Sequence, residues 1–164
     1  MAWREAMCGE LRADDAGRRV TVAGWADTRR DHGGLVFVDL RDHTGKVQLV
    51  INPEHSPAAA GIAHEIRNEF VLQATGEVAA RAPEAINPEL PTGQVEVQVD
   101  ELRILSRSTP LPFQLDEEGV DETLRLRYRW LDMRTERMQR NLRLNHTAIA
   151  AIRHEMDERA DSQR

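Results

Sequence analysis

Alternating apolar and polar residues dominate the first hundred residues of the chain, and this period of two predicts β-strands. The predicted strands lie at about residues 20–31, 35–40, 46–51, 70–78 and 94–105. Turn-forming residues separate most of them, for example His32-Gly33-Gly34 between the first two strands. Val36 and Val38 share one face of the second strand, so Phe37 lies on the opposite face and is predicted to point outward.

One helix is predicted between the third and fourth strands. Ile62 and Ile66 recur at helical spacing and Pro57 suits a first turn, so we expect a helix over about residues 56–69. Three strands, a helix and two strands are the element order of an OB-fold, a five-stranded Greek-key barrel. In that fold the second and third strands carry the ligand surface. The sequence therefore predicts a mainly β protein with a binding face on these two strands.

The composition changes after residue 106, where prolines and then acidic residues replace the alternating pattern. Helical spacing returns at about residues 122–133 and 137–158, and Leu142, Ile149 and Ile152 fall on one apolar face of the second helix. These C-terminal helices cannot bury that face by themselves. We divide the chain into an OB-fold domain, a linker and a helical region, at residues 1–106, 107–121 and 122–164.

The composition indicates in which cell compartment the protein is expected and which kinds of site its sequence does not predict. No apolar run approaches the roughly 20 residues of a membrane span, and early charges interrupt any signal-peptide core, so we expect a cytoplasmic protein without a membrane partner. The single cysteine, Cys8, cannot form an internal disulfide and is interpreted as a small buried residue. The histidines lack metal-ligand spacing with cysteine or carboxylates, so no metal site is predicted.

The distribution of charge matters more than its sum. The net charge of −6 argues against a polyanionic partner, but the arginines cluster at Arg29-Arg30 and again between residues 125 and 143. Lys46 is the one lysine among 22 basic residues, which a GC-rich genome explains. Paired arginines, a glycine turn and an outward Phe37 are what a platform for single-stranded RNA requires.

Several segments in order resemble one family, the bacterial-type aspartyl-tRNA synthetases. They are Val22-Ala23-Gly24-Trp25, Arg29-Arg30-Asp31-His32-Gly33-Gly34, Phe37-Val38-Asp39-Leu40-Arg41-Asp42, Glu65-Ile66-Arg67-Asn68-Glu69-Phe70, Thr92-Gly93-Gln94-Val95-Glu96-Val97 and Arg127-Tyr128-Arg129-Trp130-Leu131-Asp132-Met133-Arg134. The similarity runs from Cys8 to about Arg159. It implies an N-terminal anticodon-binding OB domain, a hinge and the opening helix of a class II catalytic domain.

The resemblance also implies roles for individual residues. Phe37 would stack under an anticodon base, Gln48 and Glu96 would read base edges, and Arg30 would contact the anticodon. The full anticodon set that it implies is Arg30, Phe37, Gln48, Glu96, Asn87, Arg81, Arg29 and His32. Three arginines near the hinge would contact the tRNA backbone, namely Arg127, Arg129 and Arg134.

The partner that the resemblance implies is tRNA-Asp, and histidine at position 32 leaves tRNA-Asn open as a second partner. The class II motifs of the family do not follow Asp157-Glu158-Arg159 in this sequence. We therefore expect no catalytic residue and no cofactor in this chain, which should bind tRNA without aminoacylating it. ATP and Mg²⁺ are implied for the full-length family, which is a homodimer.

Two other interpretations stay open at this point. The chain could be a generic single-stranded nucleic-acid-binding OB protein without catalytic activity, which would be indifferent to the anticodon sequence. It could also be an enzyme subunit that completes a separately encoded catalytic domain and ligates aspartate to tRNA.

Overall fold

The computed structural model describes residues 3–115 and 117–161. Within these residues five strands form a closed barrel in the order β1-β2-β3-β5-β4. Their bounds are Arg19–His32 (β1), Leu35–Arg41 (β2), Lys46–Ile51 (β3), Val71–Ala80 (β4) and Val95–Ser106 (β5). All neighbours are antiparallel except β3 and β5, which run parallel and close the ring. The predicted OB-fold is confirmed.

The barrel core consists of the inward residues that the alternation predicted. Val36, Val38 and Leu40 on β2 are buried, and so are Val47 and Leu49 on β3. Apolar surface removed from water in this way stabilises the fold by about 25 cal/mol per Å². The outward residues of the same strands stay available for other contacts, which is what positions the candidate site.

The helix between β3 and β4, α1, spans Pro57–Ala63 and is shorter than predicted. After it the chain turns, and Glu69 adopts a positive φ of 64°. The backbone N–H of Glu69 donates to the Ala26 carbonyl at 2.7 Å, which ties the turn to β1. Ile66 is buried in the core. The helical spacing of Ile62 and Ile66 therefore arises because the turn after α1 buries Ile66, and not because the helix continues.

Asp42 ties the N-terminal segment to the turn between β2 and β3. Its buried carboxylate accepts hydrogen bonds from the Cys8 backbone N–H at 2.8 Å, and from the Thr44 N–H and Oγ1 at 2.7 and 2.6 Å. Burial acts to raise the pKa of Asp42, but the donors from Thr44 and Cys8 together hold it below its usual range. Burial also raises the pKa of the Cys8 thiol, which lies in the core as predicted.

The lowered pKa of Asp42 predicts that part of the free energy of unfolding is lost in acid. An aspartate whose pKa is lower in the folded than in the unfolded state stabilises the fold at pH values above its ordinary pKa of about 3.9. This stabilisation is lost as the pH falls through the folded-state pKa. The Asp42→Asn variant should be less stable than wild type at pH 7 and lose less stability on acidification. Urea unfolding at pH 7 and pH 3, followed by circular dichroism, measures both. Equal pH dependence in the two proteins would contradict this role.

The chain divides into two compact units, residues 1–109 and 110–164. The second contains three helices among its described residues, α2 (Glu122–Arg127), α3 (Arg129–Asp132) and α4 (Glu136–Asp161). The helical segment predicted over about 122–133 is present as α2 and α3, which Tyr128 separates with φ −110° and ψ 47°. The break accompanies burial of Leu131 and Asp132.

The apolar residues of α4 remain exposed, as expected for a helix that cannot bury its own face. The exposed set is Leu142, Leu144, Ile149, Ile152 and Met156. No helix within residues 3–115 and 117–161 is both long and apolar enough to cross a membrane. Residues 1–2, Asp116 of the predicted linker and residues 162–164 of the predicted helical region lie outside the described residues. The three-part division at residues 1–106, 107–121 and 122–164 stays a prediction.

Candidate nucleic-acid interface

A groove of about 580 Å³ opens on the outer surface of the barrel. It is lined by Arg30, Asp31, His32, Phe37, Asp39, Gln48, Arg81, Ala85, Asn87 and Leu90. Strands β1, β2 and β3 supply one side, and the β4–β5 connection supplies the other. Six of the eight residues predicted for anticodon binding meet in this groove.

Strand register explains why Phe37 lies in the groove. Val36 and Val38 point into the core, so Phe37 between them takes the outer face and is only half buried. It pairs with Arg30 on β1 and Val50 on β3. The predicted outward orientation is confirmed, and the ring forms an apolar surface beside charged neighbours, which suits stacking of a base.

Arg30 reaches from β1 across β2. Its Nη2 lies 3.0 and 3.2 Å from the two carboxylate oxygens of Asp39 and 3.4 Å from the Gln48 Oε1. Thr28 also donates to Asp39, at 2.5 Å. The Arg30 side chain keeps 58% of its surface exposed, so this ion pair aims the guanidinium without enclosing it. Asp39 is thus the ion-pair partner of Arg30 across the β1–β2 pairing.

Glu96 lies next to the groove and is joined to it through Gln48. Because β3 and β5 pair in parallel at Leu49 and Val97, the preceding residues of the two strands are neighbours. Gln48 Nε2 donates to Glu96 Oε2 at 3.2 Å. Gln98, two residues along the same face of β5, donates from Nε2 to Glu96 Oε1 at 2.8 Å. The amide and the carboxylate thus form one polar unit with donors and acceptors.

Arg81 is the most deeply placed cation of the groove, since only 5% of its side chain is exposed. Its Nε donates to the Val95 carbonyl at 3.0 Å and lies 3.8 Å from Glu96 Oε2, and its Nη1 donates to the Ala85 carbonyl at 3.4 Å. The Nη2 atom is buried and has no hydrogen-bond partner among the described residues. An unsatisfied buried donor costs about 1–3 kcal/mol, so a ligand acceptor at this point would be favourable.

The loop between β4 and β5 holds Asn87 at the rim. The Asn87 side-chain oxygen accepts from the Glu89 N–H at 3.0 Å, and its backbone N–H donates to the Gly93 carbonyl at 3.1 Å. A Cβ at Gly93 would lie 1.7 Å from the Asn87 carbonyl oxygen, so only glycine permits this closure. The loop is therefore folded back on itself and fixes the second side of the groove.

Arg29 is not among the described residues that line the groove. Its Nη2 donates to both carboxylate oxygens of Asp31, at 2.8 and 2.7 Å, and lies 3.3 Å from Nδ1 of His64 after α1. Arg29 and Arg30 are successive residues of β1, so their side chains point to opposite faces of the sheet and do not act as a pair. Contact of Arg29 with the anticodon stays a prediction, in which the guanidinium would share its charge between Asp31 and RNA.

The three hinge arginines belong to the second unit. The Arg127 guanidinium lies 5.8 Å from the Tyr128 ring centre, and that of Arg134 lies 5.1 Å from the Trp130 ring centre. Arg129 forms an ion pair with the buried carboxylate of Asp132. Their contact with the tRNA backbone stays a prediction. In that contact, the Arg129 guanidinium would interact with both a phosphate and the Asp132 carboxylate.

Sequence reasoning missed five residues of the site or its support. Asp31, Asp39, Ala85 and Leu90 line the groove, and Gln98 holds Glu96. Alternation on β2 and β5 already placed Asp39 with Phe37 and Gln98 with Glu96. For Leu90 no sequence signal was available, because it lies in an irregular loop.

Comparison with known proteins agrees with this geometry. Residues 20–105 match the model of the tRNA anti-codon family, described as an OB-fold nucleic acid binding domain. The chain is 46% identical over 155 residues to an aspartate–tRNA(Asp/Asn) ligase of Cyanothece sp. and 50% identical over 153 residues to that of Moorella thermoacetica. These alignments cover 92% and 93% of this chain but 26% and 25% of the relatives.

Solved structures show the same fold. The asparaginyl-tRNA synthetase of Pyrococcus horikoshii, complexed with asparaginyl-adenylate, superposes with a TM-score of 0.80 at 26% identity. The match covers 93% of this chain and 34% of that one. The chain thus spans about a quarter of its sequence relatives and a third of this structure. On its fold, its groove and the matched residues 20–105, the chain belongs to the tRNA anti-codon family of OB-fold nucleic acid binding domains.

Proposed function

We propose that the chain is the anticodon-recognition module of an aspartate–tRNA ligase, with tRNA-Asp as its partner and tRNA-Asn as a second one. One observation carries this assignment: the groove is lined both by the half-buried ring of Phe37 and by Arg81, whose buried Nη2 has no hydrogen-bond partner among the described residues. A ring for stacking and a buried donor for an acceptor atom are the two elements that a splayed RNA base requires. The names of the similar ligases support the choice of tRNA.

In this proposal the anticodon bases leave their stack and enter the groove. One base stacks on Phe37, which contributes about 1–3 kcal/mol. Gln48 and Glu96 meet a base edge with an amide and a carboxylate, and Arg30 and Arg81 offer N–H groups to base oxygens or phosphate. His32 lies at the rim, at the end of β1, where it would meet the last anticodon base.

The reaction belongs to a longer protein in this proposal. Attachment of aspartate to tRNA with ATP and Mg²⁺, the homodimeric assembly and the cytoplasmic location are all proposed for that protein. The role assigned to this chain is tRNA binding, without aminoacylation by the chain alone. Contact of Arg127 and Arg134 with backbone phosphates would add affinity that does not depend on sequence.

Binding of the purified chain to three RNAs tests the proposal. The RNAs are tRNA-Asp, tRNA-Asn and a tRNA-Asp with a scrambled anticodon, all at one stated salt concentration, since phosphate contacts make affinity salt-dependent. The scrambled anticodon should weaken binding at least about tenfold, because several base contacts are lost together. Similar affinity for the first two would support recognition of both tRNAs.

Equal affinity for all three RNAs would contradict the proposal. It would favour a generic single-stranded nucleic-acid-binding OB protein, in which stacking on Phe37 and charge at Arg30 act on any sequence. A large preference for tRNA-Asp over tRNA-Asn would remove tRNA-Asn as a partner and leave the anticodon module intact.

A further inference from the structure

We propose that Gln98 is a positioning residue for anticodon discrimination, which acts by fixing the carboxylate of Glu96. This inference rests on the proposed function, because it concerns how the same groove selects a base. Gln98 is not among the described residues that line the groove. It therefore acts through Glu96 and not by touching RNA.

Both oxygens of the Glu96 carboxylate are held by amide donors. Gln98 Nε2 donates to Oε1 at 2.8 Å, and Gln48 Nε2 donates to Oε2 at 3.2 Å. The Gln98 contact is the shorter one, and it comes from outside the groove. Each carboxylate oxygen can accept more than one hydrogen bond, so a held Glu96 retains acceptor capacity for an N–H of a base. Gln98 thus fixes the acceptor without blocking it.

Gln48 cannot perform this task alone. It belongs to the groove itself, and its Oε1 already lies 3.4 Å from Arg30 Nη2. A base that competes for the Gln48 amide would release Glu96 Oε2. With Gln98 in place, the carboxylate stays anchored through Oε1 while Gln48 rearranges toward the base. Without it, the Glu96 side chain would regain rotamer freedom that only Gln48 and Arg81 oppose.

The fold fixes Gln98 where it can reach Glu96. The two side chains stand on one face of β5, two residues apart, and Gln98 pairs with Val50 on β3 and Glu77 on β4. Next to that pair, a Cβ at Gly76 would lie 2.0 Å from the Gln98 carbonyl oxygen. The backbone of β4 therefore packs directly against that of Gln98 and fixes the backbone from which this side chain extends.

Discrimination, not affinity, is the quantity that tests this role. We would measure the binding of the 164-residue chain to an unmodified tRNA-Asp transcript and to three transcripts that each change one anticodon base. Gln98→Ala should lower the preference for the cognate transcript about three- to tenfold at one anticodon position, the worth of one hydrogen bond. Preference at the other two positions should not change.

The Gln98→Glu variant adds a second measurement, the pH dependence of discrimination, which a purely structural role of Gln98 would not change. Its carboxyl group would face Glu96, with Arg81 beyond it and Glu77 opposite on β4. Asp100 lies along β5, Arg19 lies beside Glu77 on β1, and His55, which follows β3, is hydrogen-bonded to Asp100. At low pH the paired carboxyl groups share a proton, which restores a donor to Glu96; at high pH they repel each other. Discrimination by this variant should therefore improve as pH falls, whereas that of wild type should not.

Gln73→Glu is the matched control, because it makes the same change in charge on β4, at a residue outside the groove. It should keep the discrimination of wild type at every pH. If wild type discriminates and Gln98→Ala discriminates equally well, the role of Gln98 is wrong and the proposed function stands. If wild type itself does not discriminate, the proposed function fails first.

Discussion

Replacing Phe37 by alanine should weaken binding of tRNA-Asp by about five- to 150-fold, because one stacked base contributes about 1–3 kcal/mol. The ring lies on the outer face of β2, between the buried Val36 and Val38, so its removal changes the groove and leaves the barrel core intact. The fold should therefore persist. Fluorescence-based titration at constant salt measures the affinity, and circular dichroism with thermal melting checks the fold.

Two further substitutions separate stacking from apolar contact. Phe37→Tyr keeps the aromatic face and should bind nearly as well as wild type. Phe37→Leu keeps much of the apolar volume without a π-system and should lose most of what Phe37→Ala loses. Unchanged affinity of Phe37→Ala in a folded protein would contradict the stacking role and would move recognition to the polar residues of the groove.

Replacing Leu49 by alanine should lower the free energy of unfolding of the barrel by about 2–5 kcal/mol. Leu49 lies on β3, next to Gln48, and its side chain is completely buried in the core. The cost combines the lost transfer free energy with the cavity that surrounding strands cannot fill. Urea unfolding, followed by circular dichroism, gives the difference directly as a lower midpoint.

The same substitution at Leu144 is the matched control. Leu144 lies on α4 with 67% of its surface exposed, so Leu144→Ala should change stability by no more than about 0.5 kcal/mol. A small effect at Leu49 would mean that the barrel is more plastic than the closed sheet implies. A large effect at Leu144 would mean that the apolar face of α4 is covered in solution.

Much of the fold was predictable from local pattern. Alternation placed Val36 and Val38 inside and Phe37 outside, because a period-two strand that buries one face must expose the other. Where the structure differs from the local pattern, tertiary contacts determine the conformation. Ile66 has helical spacing but lies in a turn that Glu69 ties to Ala26, and Tyr128 interrupts an otherwise helical run.

The candidate site was predictable in its membership but not in its chemistry. Resemblance pointed to Arg29, Arg30 and Arg81 alike, as basic residues near an anticodon. The structure separates them: Arg30 stays exposed beside Asp39, Arg29 is held by Asp31, and Arg81 is buried with an N–H that no described residue accepts. Which of these cations is available to a ligand depends on neighbours distant in sequence.

The sequence by itself determined the OB-fold order, the inward and outward faces of its strands and the membership of most of the groove. The element order and the strand faces follow from the periods of local hydrophobicity, and the groove residues follow from the resemblance to the aspartyl-tRNA synthetase family. Only the tertiary structure decided that β3 and β5 pair in parallel, which brings Gln48, Glu96 and Gln98 together. Pairing of strands more than 40 residues apart is set by closure of the barrel, and no local pattern encodes it.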